Sequence, residues 1–277
     1  MIELPEALVL AGDLNKEAAG KTVKEVCPPS YEHKFCWFEG DPAEYDRKLR
    51  DSRLEKTEGF GSYVEMIFDN DMRLTINDGV NIRLFEPDAP RPGRYQLLIE
   101  FTDGFGLVFT VAMYGGILCH TRNFYNEYYE KNRYGLSLCD PGFDGIFMEL
   151  MGSVKQNMSA KAFLATEQRF PGLGNGTLQD ILLYAGIHPK RKIQTLTREE
   201  KEKLLEAVKE TMDKMIRQGG RNTEKNLYGQ PGGYQTLLSK ITYRSGCPYC
   251  GGDITKMAYL GGTVYFCPRC QPEKRDE

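Results

Sequence analysis

The sequence predicts an α+β protein: one helix, a β-rich N-terminal half, a helical C-terminal half and a short terminal hairpin. Three observations carry this. Between Thr22 and about Ile117, short β-type runs recur between turn signals; four later segments carry a 3.6-residue apolar stripe; and two Cys pairs stand near the C-terminus. At 277 residues the chain can hold two domains, each with its own core.

The first helix is read from "EALVLAGDLNKEAAG", where Ala7, Leu8, Leu10, Ala11 and Leu14 fall at helical intervals and Gly20 ends the run. The runs "YVEMIFDND", "MRLTINDGVNIRLFE", "YQLLIEFTDG" and "LVFTVAMYGGIL" then read as strands of a sandwich or barrel, with "DAPRPGR" as a long loop between two of them. "YNEYYEKNRYGLSLCDPGFDG" reads as the connection between domains. After it come the helical "DGIFMELMG", "SAKAFLATEQRF", "NGTLQDILLYAGI" and "TREEKEKLLEAVKETMDKMIRQG"; Thr197 followed by Glu200 makes a capping box for the last. Apart from the charged end "PEKRDE" there is no biased tail, and no internal repeat.

A formal net charge of −3 argues against a general polyanion binder, but it hides an asymmetry. Residues 1–150 carry 16 Lys/Arg against 26 Asp/Glu, a net of −10, and residues 151–277 carry 20 against 13, a net of +7. No apolar run approaches the length of a membrane span and no basic-then-apolar leader opens the chain, so a soluble, cytoplasmic protein is expected. There, Cys27, Cys36, Cys119 and Cys139, scattered without a pairing pattern, read as free thiols.

Cys247, Cys250, Cys267 and Cys270 are different: two C-x2-C pairs separated by sixteen residues. Two residues between thiolates let both sulfurs of a tight turn reach one ion, and two such knuckles supply a tetrahedral Zn2+ cage with no position left for water. One structural zinc is expected, with "DITKMAYLGGTVYF" as a β-hairpin hung from it. Upstream, "GLGNG" sets a Gly-rich turn before a helix, an arrangement that leaves backbone N–H groups unpaired and able to hold phosphate, with Asn175 as a further donor. The basic "HPKRK", containing Lys190 and Arg191, follows that helix.

Together "ELPEA", "FPGLGNGTLQDILLYAGIHPKRK" and "CPYC…FCPRCQ" resemble the formamidopyrimidine-DNA glycosylase and endonuclease VIII family, in order and over the whole chain. The resemblance implies a two-layer β-sandwich domain (1–135), a helical domain with a helix-two-turns-helix element (136–240) and a zinc hairpin (241–277). It implies a monomer that binds duplex or damaged DNA, with Lys161, Gly174, Asn175, Lys190 and Arg191 as nucleic-acid contacts, and base-excision and abasic-site lyase chemistry.

The chemical positions depart from that pattern. The family's nucleophile is an N-terminal proline, whereas Ile2 stands here; its β-branched side chain is expected to leave Met1 in place, with a primary amine displaced by one residue. Glu3 and Glu6 keep the matching acidic positions, as catalytic groups or as caps of the first helix. A hairpin lysine of the family falls on Ser62, its base-gap wedge on "VAMYGG" and Asn77, and the arginine of its zinc hairpin on Gly262. Two readings of the chemistry follow: proline-dependent catalysis lost or altered, or catalysis retained through the Met1 amine, Lys56 or another lysine. An RNA- or protein-binding scaffold is a third reading.

Overall fold

In the computed structural model, which describes residues 1–154 and 157–273, two sheets pack face to face behind the first helix. The C-terminal part of the charged "PEKRDE", from residue 274, lies outside the described residues. Helix α1 (Leu4–Glu17) buries Ala7, Leu10, Ala11 and Leu14, the stripe its spacing predicts. One sheet takes β1 (Val23–Cys27), β7 (Leu97–Phe101), β8 (Gly106–Val111) and β6 (Val80–Phe85) in that order. The other runs β2 (Cys36–Phe38), β9 (Gly115–Thr121), β5 (Met72–Asn77), β4 (Tyr63–Phe68) and β3 (Leu54–Phe60), antiparallel throughout except for β2 beside β9. Their inner faces share one core, with Val64, Met66, Leu74, Ile82, Ile99 and Phe109 closed to solvent, and α1 covers it. That closeness depends on Gly59: a Cβ there would stand 2.4 Å from the Ala7 carbonyl oxygen of α1.

The stretch that reads as a connection contains an unexpected helix, α3 (Glu127–Tyr134). Its polar surface hides it from a periodicity search, but Asn126 caps it through Oδ1 and Tyr129 inserts a ring into the sandwich side, donating its hydroxyl to buried Glu65 at 2.6 Å. A short α2 (Tyr45–Leu49) is likewise unexpected.

A second core gathers α4 (Phe143–Ser153), α5 (Ala160–Ala165), α6 (Leu178–Ala185) and α7 (Arg198–Arg217) around Phe147, Phe163, Phe170 and Leu204. The capping box at Thr197 and Glu200 forms as the spacing implies. Strands β10 (Thr255–Tyr259) and β11 (Gly262–Phe266) pair as the terminal hairpin, and a third small core of Leu183, Leu238 and Tyr265 seats it on α6. Among the described residues no helix is long and apolar enough to cross a membrane.

Candidate functional site

The four hairpin cysteines converge. Their Sγ atoms all lie within 4.8 Å of one another, Cys247 from Cys270 by 3.7 Å and Cys250 from Cys267 by 3.5 Å. Zn–S bonds of about 2.3 Å give a tetrahedron with edges of about 3.8 Å, so the donor set fits one zinc ion, and none of the cysteines is in a disulfide. The knuckles are shaped by Gly251 N–H donating to the Cys247 carbonyl and Cys247 N–H to that of Gly252. A metal held there would fix a hairpin that Gln179 of α6 also grips: its Nε2 donates to the Thr263 carbonyl, and its Oε1 accepts from Tyr265 N–H.

The tip of that hairpin borders a cleft of about 250 Å³ floored by Met1, Ile2 and Glu3, with Gly174 in its wall. Of the basic and polar residues singled out from sequence, Lys161 and Asn175 line it, and Lys190 stands behind the hairpin at Tyr259. Lys161 Nζ donates to the Tyr259 carbonyl, Lys190 Nζ stands 5.6 Å from the Tyr259 ring centre, and Asn175 Nδ2 donates to the Thr263 carbonyl at 2.9 Å. Burial pushes the Lys161 ammonium pKa down, and the Asn175 Oδ1 is buried without a partner, an unsatisfied acceptor beside the cleft. Arg191 turns elsewhere, donating to Thr195 and facing Glu200 at 3.4 Å. Although the N-terminal half is acidic, Glu3 and Asp78 are the only acids among the described residues that line this cavity.

The N-terminus of α6 is not open as the Gly-rich turn suggests. Glu3 reaches it: Gly176 N–H donates to Oε1 and Thr177 N–H to Oε2, both at 2.8 Å. The helix dipole that reads as a phosphate site thus already holds a carboxylate. Glu6 is equally committed, accepting from Arg221 Nε at 2.9 Å and Nη2 at 2.6 Å, and from the Glu3 N–H at 3.2 Å, which makes it part of the α1 cap. Arg221 Nη1 lies 3.4 Å from Glu3. Burial works to raise the Glu3 pKa, but Arg221 and the Thr177 and Gly176 donors outweigh it and keep the carboxyl below its ordinary value. Glu3 is therefore an ionised acceptor rather than a proton donor at neutral pH.

The amine is also committed. Met1 ammonium donates to Glu224 Oε2 at 2.6 Å, Ile2 N–H to the Asp78 carbonyl at 2.7 Å, and the Ile2 side chain is buried in the sandwich core. Lys56 lies on the surface, paired with Glu58. Ser62 faces the cleft and donates to Asn132 of α3, and Gly262 presents no side chain there. Gly172 seats this whole turn: its φ is +79°, its carbonyl accepts Leu4 N–H, and a Cβ would stand 2.4 Å from the Gly61 oxygen.

Sequence reasoning passed over Asp180, which sits on α6 and accepts from Leu237 N–H, Leu238 N–H and the Tyr234 hydroxyl. Burial pushes its pKa up to about 6 against these donors. A carboxyl whose folded pKa is above its unfolded value of about 3.9 stabilises the fold fully below the lower value, and that contribution disappears as pH rises through 6. Replacing Asp180 by Asn is expected to flatten the pH dependence of unfolding free energy between about 4 and 6, read by urea titration across that window.

A two-layer sandwich and a helical bundle carrying a zinc hairpin, with the chain's own N-terminus flooring the cleft, define the class of protein. No family model matches the chain. It is 26% identical over 285 residues to the formamidopyrimidine-DNA glycosylase of Lactobacillus delbrueckii subsp. bulgaricus and 27% identical over 283 residues to that of Bacillus cereus, each match covering 98% of this chain and 99% of the relative. Its fold matches that of Lactococcus lactis Fpg in complex with abasic-site DNA, with a TM-score of 0.82 and 22% identity over 98% of this chain and 99% of that one. The same protein with N7-benzyl-Fapy-dG DNA gives 0.81 and 22%, with the same coverage. Over nearly its whole length the chain is thus similar in sequence to formamidopyrimidine-DNA glycosylases and shares their fold.

Proposed function

We propose that the protein is a DNA-binding member of the base-excision class that grips duplex DNA carrying a damaged or abasic site, and that the proline-dependent chemistry of its relatives is lost. The observation that carries this is the commitment of every inherited reacting group to the scaffold. Ile2 is buried in the core, the Met1 ammonium is held by Glu224, and both acids of "ELPEA" are engaged, Glu3 by α6 and Arg221 and Glu6 by Arg221. An amine that must stay unprotonated and free to attack a sugar carbon is poorly served by an ion pair. What remains is Lys161, which lines the cleft, and Lys190, both set against Tyr259 of the zinc hairpin, two cations suited to phosphate oxygens.

Gel-shift titration on an abasic-site duplex tests this. The wild-type chain should bind with affinity that falls steeply with salt. Lys161→Ala with Lys190→Ala should weaken binding about tenfold or more and lower the log–log salt slope by about 1 for each phosphate that no longer meets a lysine. Absence of binding to duplex, nicked and abasic DNA at low salt would remove the proposal. Binding of structured RNA in preference to all three would replace it with the scaffold reading.

A further inference from the structure

A second cavity, of about 300 Å³, shares the Met1–Ile2 segment with the cleft as a wall and is closed by the β5–β6 turn, β6 and the segment around Thr223. Its charge is unlike that of the half that builds most of it. Two acids line it, and each already has a cation: Glu6 is paired with Arg221, and Glu224 with the Met1 ammonium. Three cations line it as well, Arg83, Lys225 and Lys240, and none has an acidic partner within ion-pair distance among the described residues. Arg83 is the telling one. It is half-buried on β6 with its stem against Gly229, so it has given up water without gaining a counter-charge, and that burial alone pulls its pKa down. Below the cations the wall is apolar, formed by Leu10, Val80 and Ile82.

We propose that this cavity binds a phosphate monoester, with its anionic group on Arg83, Lys225 and Lys240 and its apolar body against Met113. A monoester carries a charge of about −1.5 to −2 at neutral pH and offers three strong acceptor oxygens, which suits three uncompensated cations better than a single carboxylate does. The volume is at the lower end of the range for small-ligand sites. The phosphate can belong to a free nucleotide or to the end of a nucleic-acid strand. Neither Lys161 nor Lys190 lines this cavity, so its test is separable from that of the cleft.

Calorimetric titration of the full chain with adenosine 5′-monophosphate, adenosine, a 5′-phosphorylated trinucleotide and its 5′-hydroxyl counterpart decides the matter. The monophosphate should bind and adenosine should not, and Arg83→Gln should weaken binding about tenfold, equivalent to about 1.4 kcal/mol. Lys240 is exposed, so Lys240→Ala tests the same site without touching the core, and it should weaken binding by about threefold or more. Binding of the phosphorylated trinucleotide alone would support the site and assign it to a strand end. Failure of both phosphorylated probes, equal binding of their phosphate-free counterparts, or unchanged affinity in Lys240→Ala with Arg83→Gln or Arg83→Lys folded as wild type would overturn it.

Discussion

Removing the zinc is expected to abolish DNA binding while leaving the β-sandwich folded. The four thiols are placed to surround one ion, and of the hairpin strands only Val264, Tyr265 and Phe266 are buried apolar side chains, too little apolar area to order the hairpin unaided. Structural zinc contributes apparent binding free energies of about 10–16 kcal/mol in small metal-dependent folds, so the hairpin should melt when a chelator takes the ion or when Cys267→Ser removes a ligand. The tip that presents Tyr259 to Lys161 and Lys190 would be lost with it. The core of α4 to α7 and that of the sandwich do not include the zinc cysteines, so their cooperative melting should persist. Elemental analysis should give one zinc per wild-type chain and none for the variant. A metal-free chain that still shifts abasic DNA would separate the hairpin from the binding surface.

Arg221→Ala should be the most destabilising single substitution away from the metal. The guanidinium is 3% exposed and spans two carboxylates that are themselves buried, so its loss leaves Glu3 and Glu6 charged and uncompensated. Breaking a buried pair on one side costs about 3–5 kcal/mol, and for a chain of this length that lowers Tm by roughly 10 °C. Arg221→Met combined with Glu6→Gln should recover a substantial part of the loss, because it removes one charge of each sign. A Tm within about 2 °C of wild type for Arg221→Ala would mean that the triad is not what ties α1 to the segment after α7.

The metal cage was legible because its ligands form two local pairs whose spacing alone encodes geometry. Helices α1 and α7 were legible for the same reason: Leu10 with Leu14, and Thr197 with Glu200, signal within one or two turns of chain. The Arg221 triad was not. Its ion pair with Glu6 spans 215 residues, and "GGRN" carries no periodic or capping signal that would single the arginine out. For the same reason "GLGNG" suggested an open helix terminus, since nothing local says that Glu3, 174 residues from Thr177, fills it. Helix α3 escaped because its stability rests on a cap at Asn126 and on one inserted tyrosine rather than on an apolar stripe.

These long-range contacts change the meaning of the inherited residues. Glu3 and Glu6, the acids that the resemblance singles out, are each fully occupied in tying the N-terminus to α6 and Arg221. Whether any protein amine still attacks the sugar is read by borohydride trapping on abasic-site DNA, because reduction converts a Schiff base between amine and opened sugar into a permanent adduct. The chain should shift the abasic duplex yet form no covalent adduct under conditions in which a proline-bearing relative is trapped. An adduct that maps to the Met1 amine or to a cleft lysine would show instead that the chemistry survives on a substitute nucleophile.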